Sequence, residues 1–171
     1  KVRVLILILQ DCENIAVELV NELLRQCSDC CEATILNLTE KQLTRCLACD
    51  TCPTRVDLDS NFACKVVNER CDEMESLHQA FLDQDAIIPV VYSGANARDI
   101  KSNYQRFLER SRYLRRGDYL FSDHLVAPLV IEEVGTRQHF DLRLLTSWVR
   151  HHTVMTAALV AQIHDDVILN A

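Results

Sequence analysis

Three cysteines at short, regular spacing are the first residues in this chain that could do chemistry. Cys46, Cys49 and Cys52 follow the pattern Cys-x2-Cys-x2-Cys, and Cys64 lies farther along the same stretch. This spacing begins the ligand set of ferredoxin-type iron–sulfur clusters, and a 4Fe–4S cluster takes four thiolates. Zinc also binds sets of four thiolates that begin with Cys-x2-Cys pairs. The pattern predicts a metal centre at these four cysteines, either a 4Fe–4S cluster or zinc, and the alternative is a loop of reduced, metal-free thiols.

Other cysteines of the chain, which has nine in all, suggest different roles. Cys27, Cys30 and Cys31 cluster with no nearby fourth ligand, so packed or exposed thiols are favoured over a second metal site. Cys12 lies where a helix is predicted to begin, a position that can lower a thiol pKa and make it reactive. The aliphatic start of the chain lacks a small-residue cleavage site and is interpreted as a strand. We therefore expect reduced thiols and a cytoplasmic location.

Composition and charge narrow the class of protein. The chain has 171 residues, of which 49% are hydrophobic, and this length suits one domain with its own core over residues 1–171. Its formal net charge of −7 gives no indication of binding to nucleic acid or to an anionic membrane. No apolar run approaches the ~18 residues that a membrane-spanning helix needs. We therefore expect no nucleic-acid partner and no membrane association.

The hydrophobic pattern alternates between strand and helix periods. Strands are predicted at 2–9, 33–38, 86–92, 125–131 and 154–160, and helices at about 14–26, 69–82, 98–114 and 138–151. The first strand is aliphatic almost throughout, which is typical of a strand buried on both faces of a parallel sheet. Asn14 is a candidate cap for the first helix, and Pro89 is expected to break or end the third strand. The alternation predicts an α/β domain with three layers around a parallel sheet.

Ligands of open parallel sheets bind beyond the carboxyl ends of the strands. Three loops of the chain follow such ends, at 10–14, 92–96 and 132–137, and the cysteine loop follows the second strand. The first loop has neither a dinucleotide fingerprint nor a triphosphate-binding loop, so it is either a phosphate site built from helix amides or a plain capped turn. The loop after Tyr92 contains Gly94 and small residues, which suits a flat ring against backbone or an ordinary turn.

The order of these parts resembles a known group. The segment C-x-x-C-x-x-C is followed by a helix, by D-A-I-I-P-V-V-Y-S-G, and by a helix in which Lys101 opens K-S-N-Y. This order is similar to that of the flavodoxin-like NADPH-dependent FMN reductases, and among them the iron–sulfur flavoproteins. The resemblance implies a flavodoxin-like three-layer sandwich with a five-stranded parallel sheet in the order 2-1-3-4-5. The cysteine-rich loop 45–64 is then an insertion after the second strand.

The resemblance also implies cofactors and partners. It implies an FMN-binding iron–sulfur flavoprotein that transfers electrons as an oxidoreductase, with NAD(P)H or a protein such as ferredoxin as electron donor, and a homo-oligomer (dimer or tetramer). It assigns the 4Fe–4S cluster to Cys46, Cys49, Cys52 and Cys64. The implied FMN contacts are Asp11, Cys12 and Asn14 in the first loop, Val91, Tyr92, Ser93, Gly94, Ala95 and Asn96 in the second, and Glu133 and Gly135 in the third.

Two departures from the family pattern support another hypothesis. The first loop is cut to D-C-E-N, and the chain has only three glycines. The alternative is therefore a flavodoxin-like subunit without FMN, zinc-bound or metal-free, that acts as a structural or interaction component.

Overall fold

A parallel sheet forms the centre of the computed structural model, which describes residues 1–10, 14–52, 64–70, 72–94, 97–116, 119–165 and 167–170. The strands are β1 (Val2–Leu9), β2 (Cys31–Asn37), β3 (Ala86–Ser93), β4 (Leu125–Val126), β5 (Leu129–Glu133), β6 (Val154–Met155), β7 (Leu159–His164) and β8 (Val167–Asn170). The helices are α1 (Ile15–Cys27), α2 (Lys65–Glu69), α3 (Met74–Leu82), α4 (Arg98–Arg110) and α5 (Phe140–Trp148).

The strand order of the sheet confirms the predicted fold. The main path is β2-β1-β3-β5-β7-β8, and β4 pairs with β3 and with β6. The short strands β4 and β5 together occupy the fourth predicted strand, and β6 and β7 occupy the fifth. All pairings from β2 to β7 are parallel, and the unpredicted β8 runs antiparallel to β7. The chain therefore has the predicted order 2-1-3-4-5 with one added edge strand.

Pro89 does not end the third strand, contrary to the sequence-based expectation. It lies inside β3 and pairs in register with Leu7 of β1. On the other side of β3, the neighbouring strand is interrupted at Ala127 and Pro128, between the residues that pair with Ile87 and Val90. A proline lacks the N–H that a central strand needs. Here the residues Ile88 and Pro89 face a gap between two short strands, so the missing donor interrupts little of the ladder.

Helices cover both faces of the sheet and give the three predicted layers. One face packs residues such as Leu5 and Leu7 against Phe81 of α3, Phe107 of α4 and Trp148 of α5. The opposite face packs a second cluster of aliphatic residues, listed as Val4, Ile6, Ile8, Val90 and Ile131, against Ala16 and Val20 of α1. Within the described ranges, no helix is long and apolar enough to cross a bilayer.

Three predicted helices differ in their bounds. The helix predicted at 69–82 begins only at Met74, whose N–H donates to the Asp72 carboxylate at 3.0 Å, and the short helix α2 before it was not predicted. The helices predicted to reach 114 and 151 end earlier and continue as 3-10 turns, Ser111–Arg115 and Val149–His151. Asn14 was expected to cap α1 through its side chain, and this expectation is wrong, since its side chain makes no capping hydrogen bond.

Candidate functional site

The carboxyl ends of β1, β3 and β5 lie side by side and form one rim of the sheet. Gln10 follows β1, Ser93 and Gly94 end β3, and Glu132 and Glu133 end β5. The described residues among the predicted FMN contacts are Asn14, Val91, Tyr92, Ser93, Gly94, Glu133 and Gly135, and they all belong to this rim or to the loops that leave it. The other four predicted contacts, Asp11, Cys12, Ala95 and Asn96, lie outside the described residues.

Tyr92 forms part of the floor beneath this rim. Its side chain is 2% exposed and packs in the cluster under α1. Its hydroxyl donates to Glu133 Oε1 at 3.0 Å, which fixes the carboxylate at the end of the neighbouring strand. The next residue, Ser93, is fully buried on the other face. The side chains of Tyr92 and Ser93 are therefore both buried beneath the rim.

Glu132 is a buried carboxylate at the same rim, with 4% of its surface exposed. Its Oε1 accepts the backbone N–H of Gln138 at 3.2 Å. The side-chain carbonyl of Gln138 accepts from Lys101 Nζ at 2.9 Å, and the same Nζ lies 5.8 Å from the ring centroid of Phe140. A buried carboxylate is costly unless hydrogen bonds or cations compensate it. Gln138 therefore gives the Glu132 carboxylate one direct hydrogen bond through its backbone. Its side chain binds the Lys101 ammonium, so a cation is held one residue away from that carboxylate.

Gln10 is the rim residue that sequence reasoning missed. It is 4% exposed, and its backbone N–H and C=O both bond to the Thr39 hydroxyl, at 2.9 and 3.0 Å. Its Nε2 donates to Asn14 Oδ1 at 3.3 Å. Its Oε1 is buried and has no hydrogen-bond partner among the described residues. Buried polar atoms are nearly always paired, so this carbonyl calls for a donor. The available sequence signal was an amide directly after an aliphatic strand.

The side chain of the N-cap residue does not cap the beginning of α1. Asn14 occupies the N-cap position, but its side-chain oxygen is engaged by Gln10 and makes no capping bond to the helix. The first N–H groups of a helix have no partner within the helix, and they carry its positive dipole end. In this part of the site the backbone is suited to an anion such as a phosphate.

The four predicted metal ligands gather at one place beside the rim. Cys46, Cys49 and Cys52 follow β2, and Cys64 occupies the N-cap position of α2. All four are half-buried free thiols. Burial raises the pKa of the Cys52 thiol, and the nearby Cys64, Cys46 and Cys49 raise it further. The three companions are thus close enough to Cys52 to act on its charge; we call these four residues the loop thiols.

The loop thiols do not form a finished ligand set. Cys46 Sγ accepts the N–H of Ala48 at 3.3 Å, and Cys49 Sγ lies 3.1 Å from the Thr51 hydroxyl. That hydroxyl contact is the main cause of a lowered pKa at Cys49. Across the described ranges, no three Cys, His, Asp or Glu side chains are arranged to hold a metal ion. The residues predicted for a metal centre are thus neighbours whose sulfur atoms bond within the loop, and as they stand they do not fit a metal or cluster.

A buried ion pair supports the base of this loop. Arg110 Nη1 donates to Asp72 Oδ2 at 2.7 Å, and both side chains are almost fully buried, at 1% and 0% exposure. Thr44, at the beginning of the loop, donates to the same carboxylate through its N–H and its hydroxyl. Burial alone would raise the pKa of Asp72, but the hydrogen bonds from Thr44, Met74 and Arg110 outweigh it and lower that pKa.

Two further ion pairs hold the outside of the loop. Arg45 pairs with Glu109 of α4 at 2.6 Å, and Arg116 pairs with Asp50 at 2.9 Å. Arg45 and Asp50 are largely exposed, so each pair contributes little on its own. Ala48 and Asp50 have positive φ angles of 52° and 58°, a conformation that non-glycine residues keep only where their surroundings enforce it. The loop is therefore attached to α4 and to the 3-10 turn that follows it.

Comparison with known proteins supports the fold. No family model matches the sequence, and no curated protein matches it. The chain is similar in structure to azoreductase AzrA, with a TM-score of 0.57 and 14% identity over 94% of this chain and 86% of that one. It is also similar to the azoreductase of Bacillus anthracis str. Sterne, with a TM-score of 0.51 and 14% identity over 95% and 86%. At this identity the likeness shows the fold, and the chain has the flavodoxin-like α/β fold of these azoreductases.

Proposed function

We propose that this protein binds FMN at the rim and is an NAD(P)H-dependent oxidoreductase of the flavodoxin-like reductase type. The observation that carries the proposal is the buried Oε1 of Gln10, which lacks a donor among the described residues, at the rim where a flavodoxin-like sheet takes its ligand. The likeness of the fold to two azoreductases supports the same assignment.

The rim suits the polarity of FMN. A flavin mononucleotide carries a phosphate at one end, and its ribityl hydroxyls and imide N–H are hydrogen-bond donors. The uncapped start of α1 favours the anionic end. Gln10 Oε1 and the carboxylates of Glu132 and Glu133 are acceptors and favour donors. Because like charges repel, the phosphate would lie at α1 and the flavin's donor groups toward the end of β5.

The residues of the rim would orient the cofactor. FMN held at the rim would supply hydride chemistry, with a nicotinamide as electron donor and an organic molecule as acceptor. Tyr92 holds Glu133 through its hydroxyl, and Gln138 holds Glu132 through its backbone N–H. Lys101 fixes Gln138 in turn. These contacts keep two carboxylates in one orientation, which spares the ordering cost when a ligand binds. The acceptor class suggested by the neighbours' names is azo compounds.

The proposal is tested by titrating the purified protein with FMN and following the quenching of flavin fluorescence. Replacing Gln10 by Leu removes the proposed acceptor and is expected to weaken binding about tenfold, as for the loss of one hydrogen bond. Gln84 is a matched control, because its Oε1 is also buried without a partner in the described structure but lies at the opposite end of β3. Gln84→Leu should leave FMN binding unchanged.

Two results would overturn the assignment. One is the absence of quenching by FMN at ~100 μM, a concentration that would nearly fill a site of micromolar affinity. The other is equal weakening by Gln10→Leu and Gln84→Leu, which would indicate a general loss of stability. Oxidation of NAD(P)H by an azo dye should require added or bound FMN. A protein that binds no FMN would support the alternative of a structural or interaction component.

For the loop thiols we propose, separately, a four-thiolate site for an iron–sulfur cluster or zinc. What supports it is the spacing of the four cysteines and the influence of the other three on Cys52. The loop would have to rearrange its internal bonds to close on a metal, so no step of the proposed reduction depends on it. Iron, sulfide and zinc analysis of anaerobically purified protein decides between the cluster, zinc and free thiols. Ferredoxin as donor, a dimer or tetramer, and a cytoplasmic location stay predictions.

A further inference from the structure

A second group of thiols lies at the opposite edge of the sheet from the rim. Cys27 is the last residue of α1, Cys30 is in the turn that follows, and Cys31 begins β2. Helix α1 starts near the carboxyl end of β1 and ends where the parallel strand β2 begins, so this turn is at the amino edge. Cys27 and Cys30 are exposed and Cys31 is half-buried. We call these three residues the turn thiols.

The backbone of the turn brings Cys27 and Cys30 within disulfide range. The N–H of Cys30 donates to the carbonyl of Cys27 at 3.1 Å. This bond between residues three apart defines a β-turn, whose end Cα atoms are less than about 7 Å apart. Disulfides join Cα atoms at about 4.4–6.8 Å. The sulfur atoms of Cys30 and Cys31 both lie against the Cys27 backbone, since Cys30 Sγ and Cys31 Sγ contact the Cys27 carbonyl oxygen at 3.1 and 3.3 Å.

Two contacts anchor this turn to the first strand. Val2 donates its N–H to the Cys30 carbonyl at 3.1 Å, and Lys1 Nζ donates to the Ser28 carbonyl at 2.6 Å. The turn therefore has a fixed backbone before any bond forms between the thiols. Closing a disulfide across it would need side-chain rotation and little movement of β1 or β2. A short bridge in a preformed turn stores little strain, which favours its formation.

The third thiol is distinguished from the other two by its surroundings. Burial raises the pKa of Cys31, and the neighbouring Cys30 and Cys27 raise it further. Only a thiolate attacks a disulfide, so Cys31 is the poorest nucleophile in the group. Residue Cys31 is also in a strand, where it pairs with Val2. Within the described structure the three thiols are not arranged as a metal site. The group is therefore suited to a dithiol made by Cys27 and Cys30.

We propose that Cys27 and Cys30 are a redox-active dithiol that exchanges with low-molecular-weight disulfides of the glutathione type. The Cys27 thiolate attacks one sulfur of the oxidant, its S–S bond breaks, and one thiol leaves. The Cys30 thiolate then attacks the Cys27 sulfur of the mixed disulfide and releases the second thiol. The protein loses two electrons and two protons, which appear in the two reduced thiols. Reduction of the bond is the reverse exchange.

This dithiol is independent of the proposed flavin site. The two lie at opposite ends of the parallel strands, since α1 spans the distance between them. Electrons for the dithiol come from the soluble thiol pool and none need pass through the sheet. The failure of one proposal therefore leaves the other untouched: FMN titration tests the rim, and thiol mapping tests the turn.

The test is equilibration of the whole protein under argon at a series of ratios of reduced to oxidised glutathione. After acid quenching and alkylation, peptide mass analysis counts the free thiols at each position. We expect Cys27 and Cys30 to lose alkylation together, in one two-electron transition, with a Cys27–Cys30 linked peptide. Independent alkylation of both under the most oxidising ratio would overturn the proposal, as would stable glutathione adducts that never close.

Serine variants identify the pair. Cys30→Ser should trap glutathione on Cys27, because the resolving thiol is gone. Cys31→Ser should still form the bridge, and loss of the bridge in this variant would show that the pairing is wrong. These variants alter exposed or half-buried thiols, so the fold should tolerate them. The thiol mapping of the wild-type protein does not depend on these variants. Quenching of FMN fluorescence should be the same in all of the variants.

Discussion

The loop thiols and the turn thiols are both groups of cysteine side chains, but different contacts hold them in place. The loop thiols lie at the carboxyl rim, half-buried, beside a segment that is fastened through the buried Arg110–Asp72 pair and two outer ion pairs. The turn thiols lie at the amino edge and are fixed by a single β-turn and its bonds to β1. Side-chain ion pairs with other elements therefore hold the first group, whereas mainly backbone hydrogen bonds, within the turn and to β1, hold the second.

The difference teaches that spacing alone does not decide what a cysteine group does. Both groups contain a Cys-x2-Cys pair. In the loop, Ala48 and Thr51 engage the sulfur atoms, and side chains from distant elements must be in place before the thiols meet. In the turn, one backbone hydrogen bond is enough to bring the backbones of Cys27 and Cys30 together. We expect the loop to respond to whatever disturbs the core, and the turn to respond to redox conditions.

The largest effect is expected from removing the buried pair under the loop. Arg110→Met leaves the Asp72 carboxylate buried without its cation, which should lower the free energy of unfolding by about 3–5 kcal/mol. Urea denaturation measures this loss. The loop thiols should become faster to alkylate, and the turn thiols should not change.

Arg112→Met is the matched control for this change, because Arg112 is exposed on the turn that follows α4. It should alter stability by less than about 0.5 kcal/mol. Similar losses in the two variants would mean that the ion pair does not support the loop, and the contrast drawn between the two thiol groups would fail.

Acid should weaken the layer of helices on the loop side. His151 is 3% exposed and packs against Phe121 and Trp148, and burial, helped by nearby Arg115, lowers its pKa to about 4 from 6.5. The unfolded chain then binds a proton more readily than the folded chain between these values. Stability should therefore fall as pH drops from 6.5 to 4 and level off below, by about 3 kcal/mol at most.

Thermal or urea unfolding at several pH values measures this slope. His151→Phe removes the titrating group and should flatten the dependence over that interval, provided that the variant folds. His124, whose pKa burial also lowers, should account for part of the remaining slope. An unchanged slope in His151→Phe would place the acid sensitivity elsewhere in the molecule.

Alkylation rates compare the two thiol groups directly. Cys52 is half-buried with a raised pKa and packs against the core, whereas Cys30 is exposed. Under reducing conditions at neutral pH, iodoacetamide should modify Cys30 about tenfold faster than Cys52, equivalent to ~1.4 kcal/mol in the barrier. Mass spectrometry of timed samples gives both rates in one experiment. Equal rates would show that the tertiary support of the loop does not protect its thiols.

The smallest effect is expected at the outer edge of the loop. Arg45→Ala removes an ion pair with Glu109 in which the arginine side chain is 72% exposed. The expected loss is about 0.2–1 kcal/mol, and salt should reduce it. The same urea method measures this loss. A decrease in the free energy of unfolding as large as that of Arg110→Met would mean that the exposed pair holds the loop in place.

Much of the fold could be predicted because local patterns agree with it. The aliphatic run 2–9 predicts β1 at its observed bounds, and the helix predicted at about 98–114 begins where α4 begins, at Arg98. Two features were not predicted: the continuation of β3 through Pro89 and the edge strand β8. The tolerance for Pro89 depends on a gap in a neighbouring strand, which no local pattern reveals. The edge strand β8 is four residues long and gives too short a signal.

The site was harder to predict because its partners are far apart in sequence. Arg110 follows Phe107 at helical spacing, which places it on the buried face. Its partner Asp72 is 38 positions away in the sequence and lies just before another helix, α3. Gln10 likewise depends on Thr39, 29 positions away, to hold its backbone. Spacing found the cysteines, whose partners are close in the chain. It could not find groups that are polar, buried and paired through tertiary contacts.

The interruption opposite Pro89 has a mechanical consequence. Strands β1 and β3 are continuous. The next two positions of the sheet are each divided between two short strands, β4 and β5 in one and β6 and β7 in the other. Short links such as Ala127 N–H to the Ile87 carbonyl, at 3.1 Å, bridge the split. We expect a force applied to the end of β5 to bend the sheet along this interruption. Little of the resulting strain should reach the other ends of the strands. The turn thiols lie beside β1 and β2, which this interruption does not cross, so bending there should leave their backbone unchanged.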